Sequence, residues 1–172
     1  MASRKSRQVE VRMVAEYLKA NYSTFTFVTK QPLGKVSEQL MADVGYKRAV
    51  GMTRPFRAEV DAVVIMPGAL VLVEAKVWNI VNGLAKLPLY KSLVPFTPEL
   101  KQYDKLPVIM ELVVGWTNPN LEIMAQSMGV RVRVFCPDWL GEVVESQHKY
   151  WTREYQDERQ QKQELREYYG VE

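Results

Sequence analysis

The stretch from Asp61 to Lys76, DAVVIMPGALVLVEAK, limits the possible folds more than any other part of the chain. Two apolar runs flank Pro67-Gly68, a dipeptide that favours a tight turn, so residues 57–66 and 70–78 are expected to pair as an antiparallel hairpin. Asp61 nevertheless opens the stretch, and Glu74 and Lys76 close it. Alternation along a strand puts Glu74 and Lys76 on one face with Leu70 and Leu72 behind them, while Ala75 faces away and offers its carbonyl. Folding back through the turn brings Asp61 toward the same end. Two carboxylates, a carbonyl and an amine then gather near one sheet edge.

The flanking sequence supplies the rest of an α/β domain. Residues 6–22 have helical periodicity, with Met13, Val14, Tyr17 and Leu18 on one face and Arg12, Glu16 and Lys19 opposite. Glu10 falls within the apolar face, which is costly for a carboxylate without a partner. Residues 24–29, TFTFVT, suit a strand. Residues 31–55 show no clear period and read as a long connection, with a short helix at 37–44. Residues 80–104 look helical but interrupted by Pro88, Pro95 and Pro98. Residues 107–116 are apolar enough for a strand covered on both faces. A helix with Asn118 as N-cap and Gly129 at its end follows, and then a buried strand at 130–136 that ends in Cys136. Trp116 and Trp139, after presumed strands, are expected to pack.

Composition narrows the function. With 172 residues, 47% hydrophobic and 25% charged, the chain fits one substantial core. A net charge of +3 permits a nucleic-acid partner without demanding one. The single cysteine excludes an internal disulfide, and one cysteine with one histidine, His148, is a poor basis for zinc or for a Cys–His catalytic pair. No apolar run is long enough to span a membrane and no secretory signal opens the chain, so a cytoplasmic protein is expected. Residues 1–145 are read as the folded domain. Residues 146–172 are read as a charged helical tail, either solvated or docked on a partner.

The hairpin end suits a hard cation. Mg²⁺ accepts oxygen ligands and keeps several waters, so two carboxylates and a carbonyl are enough. Beside such an ion, Lys76 would have a lowered pKa and could orient a water or stabilise charge on a phosphodiester. The plainer alternative is a same-face Glu74–Lys76 ion pair with Asp61 capping a turn, a kind of surface pair that contributes about 0–1 kcal/mol.

Asp61, then Glu74-Ala75-Lys76 across a hairpin, resembles the D…(D/E)xK site of the PD-(D/E)xK nuclease superfamily. The resemblance implies a restriction-endonuclease-like fold, a mixed sheet flanked by helices in the order helix, three strands, helix, strand. It spans roughly residues 6–136. It also implies roles: Asp61, Glu74, the Ala75 carbonyl and Glu10 as ligands of Mg²⁺ or Mn²⁺, and Lys76 as the water-positioning base. Glu59, two residues before Asp61, is an alternative ligand. The glutamine and tyrosine that many members carry on the next helix read here as Lys86 and Tyr90, so the first of the pair departs from the pattern. Lys35, Lys47, Arg48, Arg54 and Arg57 would flank the site and hold DNA phosphates, with Phe56 and Trp78 available for stacking on bases.

The EAK strand end and the Thr97-Pro98-Glu99 segment are similar to small nuclease-like proteins of tailed bacteriophages. That similarity implies two expectations. One, which the superfamily resemblance already implies, is a metal-dependent nuclease acting on DNA, in the host cytoplasm if phage-encoded, and a homodimer if it cuts both strands. The other is a catalytically silent fold serving as a virion or connector component, oligomeric and docked on phage structural proteins through its tail.

Overall fold

A computed structural model describes residues 4–147 and 160–161. The chain divides into two compact units, Met1–Phe135 and Cys136–Glu172. The first unit holds helix α1 (Arg4–Asn21), strand β1 (Thr26–Leu33), helices α2 (Glu38–Val44) and α3 (Tyr46–Thr53), and strands β2 (Ala58–Met66) and β3 (Ala69–Lys76). It continues through α4 (Ile80–Leu93), β4 (Val108–Val114), α5 (Pro119–Ser127) and β5 (Val130–Val134). Of the second unit, α6 (Asp138–Gln147) is described. His148 and most of the charged tail lie outside the described residues. No helix among the described residues is long and apolar enough to cross a membrane.

The five strands form one mixed sheet in the order β1-β2-β3-β4-β5. β1, β2 and β3 pair antiparallel, and β3, β4 and β5 pair parallel. The expected hairpin is present, with Met66 opposite Ala69 at its turn. Parallel neighbours need crossover connections, which α4 and α5 supply. The helix, three strands, helix, strand order is the one that the resemblance implies.

Alternation assigns the two faces. Leu70 and Leu72 of β3 and Met110, Leu112 and Val114 of β4 share one core cluster with Leu84, Leu87 and Tyr90 of α4 and Leu121 and Ala125 of α5. Glu74 and Lys76 belong to that same face. The opposite face carries Val71, Val73, Val113 and Glu111, and α1 lies there, because the Tyr17 hydroxyl donates to Glu111 Oε1 at 2.7 Å. Glu111 is fully buried, and its other contacts complete its hydrogen bonding: Tyr22 Oη donates to Oε1 at 2.9 Å and Arg133 Nε to Oε2 at 3.1 Å. Burial first, then the neighbouring Glu111, push the Tyr22 phenol up to about 12.

Several expectations change. Residues 31–55 are not mainly loop: β1 runs to Leu33, and α2 and α3 fill most of the remainder. α2 is the short helix expected at 37–44, while α3, eight residues long, is too short to leave a readable period. Pro88 does not break α4, because Leu84, Leu87 and Tyr90 bury the helix on both sides of it; the axis ends only at Val94–Phe96. β5 is a largely exposed edge strand that stops at Val134, so Cys136 is exposed rather than buried. Trp116 is exposed as well.

The Glu111 cluster generates a prediction. Tyr17→Phe removes one hydrogen bond to a buried carboxylate, which contributes about 1.5–3 kcal/mol. Urea unfolding should show a loss in that range in the native chain and a much smaller one in a Glu111→Leu background. Equal losses in both backgrounds would mean that Tyr17 is held by ring packing alone.

Candidate functional site

The β2–β3 ladder ends at the pair Ala62–Val73. One step further, Asp61 Oδ2 accepts the Ala75 N–H at 2.9 Å, so a side chain takes the place of the main-chain partner. β2 is distorted at this level. Val60 and Val63, three residues apart, pack in the same core cluster, so the alternation slips between them. Across β1, the residue opposite Asp61 is Lys30, which has a left-handed φ of 52°, rare for a side chain without special tolerance. The regular pleat is therefore broken around Asp61. A small cavity of about 140 Å³ between α1 and β1 reaches it.

Glu74 is 2% exposed. Its Oε1 lies 3.2 Å from Lys76 Nζ, while Oε2 is buried without a hydrogen-bond partner. Burial, then the proximity of Asp61, push its carboxyl up to about 7, against the pull of Lys76 and Lys86. Glu10 reaches across from α1. Its Oε2 is 3.2 Å from Lys76 Nζ, and its Oε1 accepts the Val77 N–H at 3.4 Å. Lys76 is thus held between two carboxylates. Burial alone would lower its pKa, but Glu74, Asp61 and Glu10 outweigh burial and raise it. The lowered pKa expected from the sequence assumed a cation alongside; the protein's own groups act in the opposite direction.

α4 forms the other wall. Gly83 lies directly against the Lys76 stem. Tyr90 is buried, its phenol pushed far up by burial first and then by Glu74, Asp61 and Glu59. Lys86 is exposed and within electrostatic reach of Glu74. Lys86 and Tyr90 are both within electrostatic reach of Glu74.

The basic residues divide into two groups. Lys35, Lys47 and Arg48 are exposed. Arg54 donates to the Lys30 carbonyl at 3.1 Å and pairs with Oε2 of Glu59, the alternative ligand, at 3.2 Å. Arg57 departs from the expected phosphate contact. Its side chain is 4% exposed, forked onto Glu99 at 2.6 and 2.7 Å, and bonded to the Pro32 carbonyl. The Thr97-Pro98-Glu99 segment is likewise structural, since Thr97 Oγ1 accepts from Gly34 N and donates to the Leu93 carbonyl. Phe56 is 90% exposed, while Trp78 is half-buried.

Among the described residues, no three His, Cys, Asp or Glu side chains converge closely enough to cage a metal ion. What the site offers is a smaller donor set: Asp61 and a buried Glu74 oxygen without a partner. That set fits an ion that keeps several of its waters. Sequence reading missed Lys30 and Gly83. The only available signal was Gly83 itself, a glycine inside a helical pattern.

No family model matches the chain, and no curated protein matches it. Solved structures similar to it include a repair endonuclease from Pyrococcus abyssi, 14% identical with a TM-score of 0.46 over 73% of this chain and 47% of that one. Another is an EndoMS–dsDNA complex, 15% identical with a TM-score of 0.43 over 76% of this chain and 46% of that one. A protein from Vibrio cholerae is 16% identical with a TM-score of 0.42, over 82% and 32%. The chain spans about half the length of the two endonuclease chains. Likeness at this level concerns backbone arrangement and assigns no residue a role.

The raised Glu74 carboxyl sets a pH dependence. Folded, it keeps its proton to about pH 7; unfolded, to about its ordinary 4.5. Between those values the folded state binds more protons, so stability falls as pH rises through the window. Urea unfolding from pH 4.5 to 7.5 should show this decline in the native chain and a flatter profile in Glu74→Gln. Parallel profiles would place the Glu74 proton elsewhere.

Proposed function

We propose that the chain is a metal-dependent nuclease of the restriction-endonuclease-like class that hydrolyses DNA phosphodiester bonds. The observation that carries this reading is Glu74: a buried carboxylate with one oxygen on Lys76 and the other without a partner, next to Asp61 at the end of a rigid hairpin. Burying a carboxylate in that state is costly, and a cation relieves the cost. Rigid strands also hold ligands more accurately than loops do.

Asp61, Glu74 and the Ala75 carbonyl would hold Mg²⁺ or Mn²⁺. When bound, such an ion neutralises phosphodiester charge and makes a water more acidic. Lys76 presents ammonium N–H groups where negative charge develops on the phosphate and orients the water that attacks phosphorus; as the P–O bond breaks, the water gives up a proton to solvent and the leaving oxygen takes one from solvent. Glu10 fixes Lys76 from the α1 side and also pins the Val77 amide. Tyr90 and Lys86 line the α4 wall, where Lys86 can hold a phosphate oxygen. Exposed Lys35, Lys47 and Arg48 supply sequence-independent phosphate contacts, and Phe56 offers an open ring for stacking.

A second reading also has an observation in its favour. Lys76 is already paired with two carboxylates, as it would be in a fold kept for DNA binding or assembly without turnover. The phage similarity rests on sequence alone and favours neither reading over the other.

Incubation with linear, supercoiled, single-stranded and branched DNA in Mg²⁺, Mn²⁺ or EDTA separates the two. The nuclease reading expects metal-dependent cleavage that drops at least about 10²-fold in Lys76→Ala. A folded protein that neither cuts any substrate nor binds Mn²⁺ would sink it and leave the assembly reading.

A further inference from the structure

Gly83 occupies the first turns of α4 and is buried. A glycine there weakens the helix relative to alanine, so its presence calls for a local reason. Its φ is ordinary, so backbone strain is not that reason. The reason is space. A Cβ at position 83 would overlap Lys76 Cγ and stand 3.3 Å from both Cδ and Cε. Three successive carbons of one lysine therefore lie across the bare backbone of a single residue.

Position along the side chain makes this matter. A flexible tip could move away from a new methyl group at little cost, but Cγ is one bond beyond Cβ, near the rigid end of β3. Moving it swings everything beyond. At the far end, Nζ is fixed 3.2 Å from Glu10 Oε2 and 3.2 Å from Glu74 Oε1. The stem is thus clamped by α4 behind and by carboxylates from α1 and β3 in front. Gly51, in α3, gives the contrast, since a Cβ there meets nothing within 4 Å.

We infer that Gly83 is a positioning residue whose missing side chain forms the cradle that aims the Lys76 ammonium between Glu10 and Glu74. The inference rests on the proposed role of Lys76 for its consequence in catalysis, but its packing claim stands independently of turnover. Alanine at 83 rotates the lysine stem out of line. A displacement of the order of 1 Å in a catalytic group costs about 10²-fold in rate.

The test is a double-mutant cycle read by thermal unfolding, with the native chain, Gly83→Ala, Lys76→Ala and the double variant. With Lys76 present, Gly83→Ala should lower the melting midpoint by about 5 °C, in keeping with overpacking. Without the lysine stem the same change should be neutral or raise the midpoint, as alanine in a helix does. Equal destabilisation in both backgrounds overturns the inference. If Gly83→Ala does not fold, the double variant decides: recovery of folding upholds the cradle, and failure of both assigns the glycine to some other neighbour.

The kinetic arm uses the same proteins, with Gly51→Ala as a control for changing a helical glycine. Gly83→Ala should lower kcat about 10²-fold, with KM and Mn²⁺ affinity changed by less than about twofold and the pH–rate profile displaced. A Gly83→Ala enzyme with native kcat and pH profile would refute the positioning role. Thermal coupling between Gly83 and Lys76 in a chain that cleaves nothing would uphold the cradle and reject the nuclease reading instead.

Discussion

Buried carboxylates must be neutralised, and two of them, Glu74 and Glu111, organise the two faces of this sheet. Each sits in a strand interior or end among aliphatic neighbours, where an ionised group without partners is untenable. Each therefore recruits partners from distant parts of the chain. Glu111 draws on two tyrosines from the α1 region and an arginine from β5. Glu74 draws on Lys76, which in turn engages Glu10 of α1. The placement of α1 over the sheet follows from both demands together with its apolar stripe of Met13, Val14, Tyr17 and Leu18.

The contrast between the two carboxylates separates structural from chemical use. Both oxygens of Glu111 are satisfied, so its cost of burial is met within the fold and nothing is left over. Glu74 has one satisfied oxygen and one orphan, with a second carboxylate, Asp61, nearby. Buried polar groups are nearly always paired; Arg57 Nε and Thr117 Oγ1 are also without a partner, but the Glu74 oxygen is the one that belongs to a carboxylate with a second carboxylate beside it. Exposure sorts the arginines. Arg57 is locked onto Glu99 and the Pro32 carbonyl and serves the fold, whereas Arg48 stays exposed.

Much of this was legible in the sequence because it is periodic or local. The hairpin followed from apolar runs around Pro67-Gly68, and the inward aim of Glu10 followed from counting turns of one helix. The Asn118 cap, whose Oδ1 accepts the Leu121 N–H, was equally visible. What escaped depends on contacts between residues far apart in the chain. Arg57 meets Glu99 across 42 positions, and nothing near either residue signals it. Glu59 is an alternative ligand by strand alternation, and its pairing with Arg54 depends on how the chain folds back after α3. The exposure of Cys136 depended on whether β5 gained a further neighbour, which a strand's own composition does not reveal.

The strain at Lys30 fits the same physics. A regular β1–β2–β3 ladder would hold Asp61 in the pleat, its carboxylate fixed by alternation alone. Letting Lys30 adopt φ 52° relaxes the ladder on one side of Asp61, and the early end of the β2–β3 pairing relaxes it on the other. The Arg54 guanidinium then holds the Lys30 carbonyl in its altered place at 3.1 Å. Strain of this kind persists only where the surroundings over-determine it. Here Arg54, just after α3, and β3, through the Ala75 amide, supply that constraint. The segment that looked like an unstructured connection thus braces β1 opposite Asp61, through the Arg54 contact with the Lys30 carbonyl.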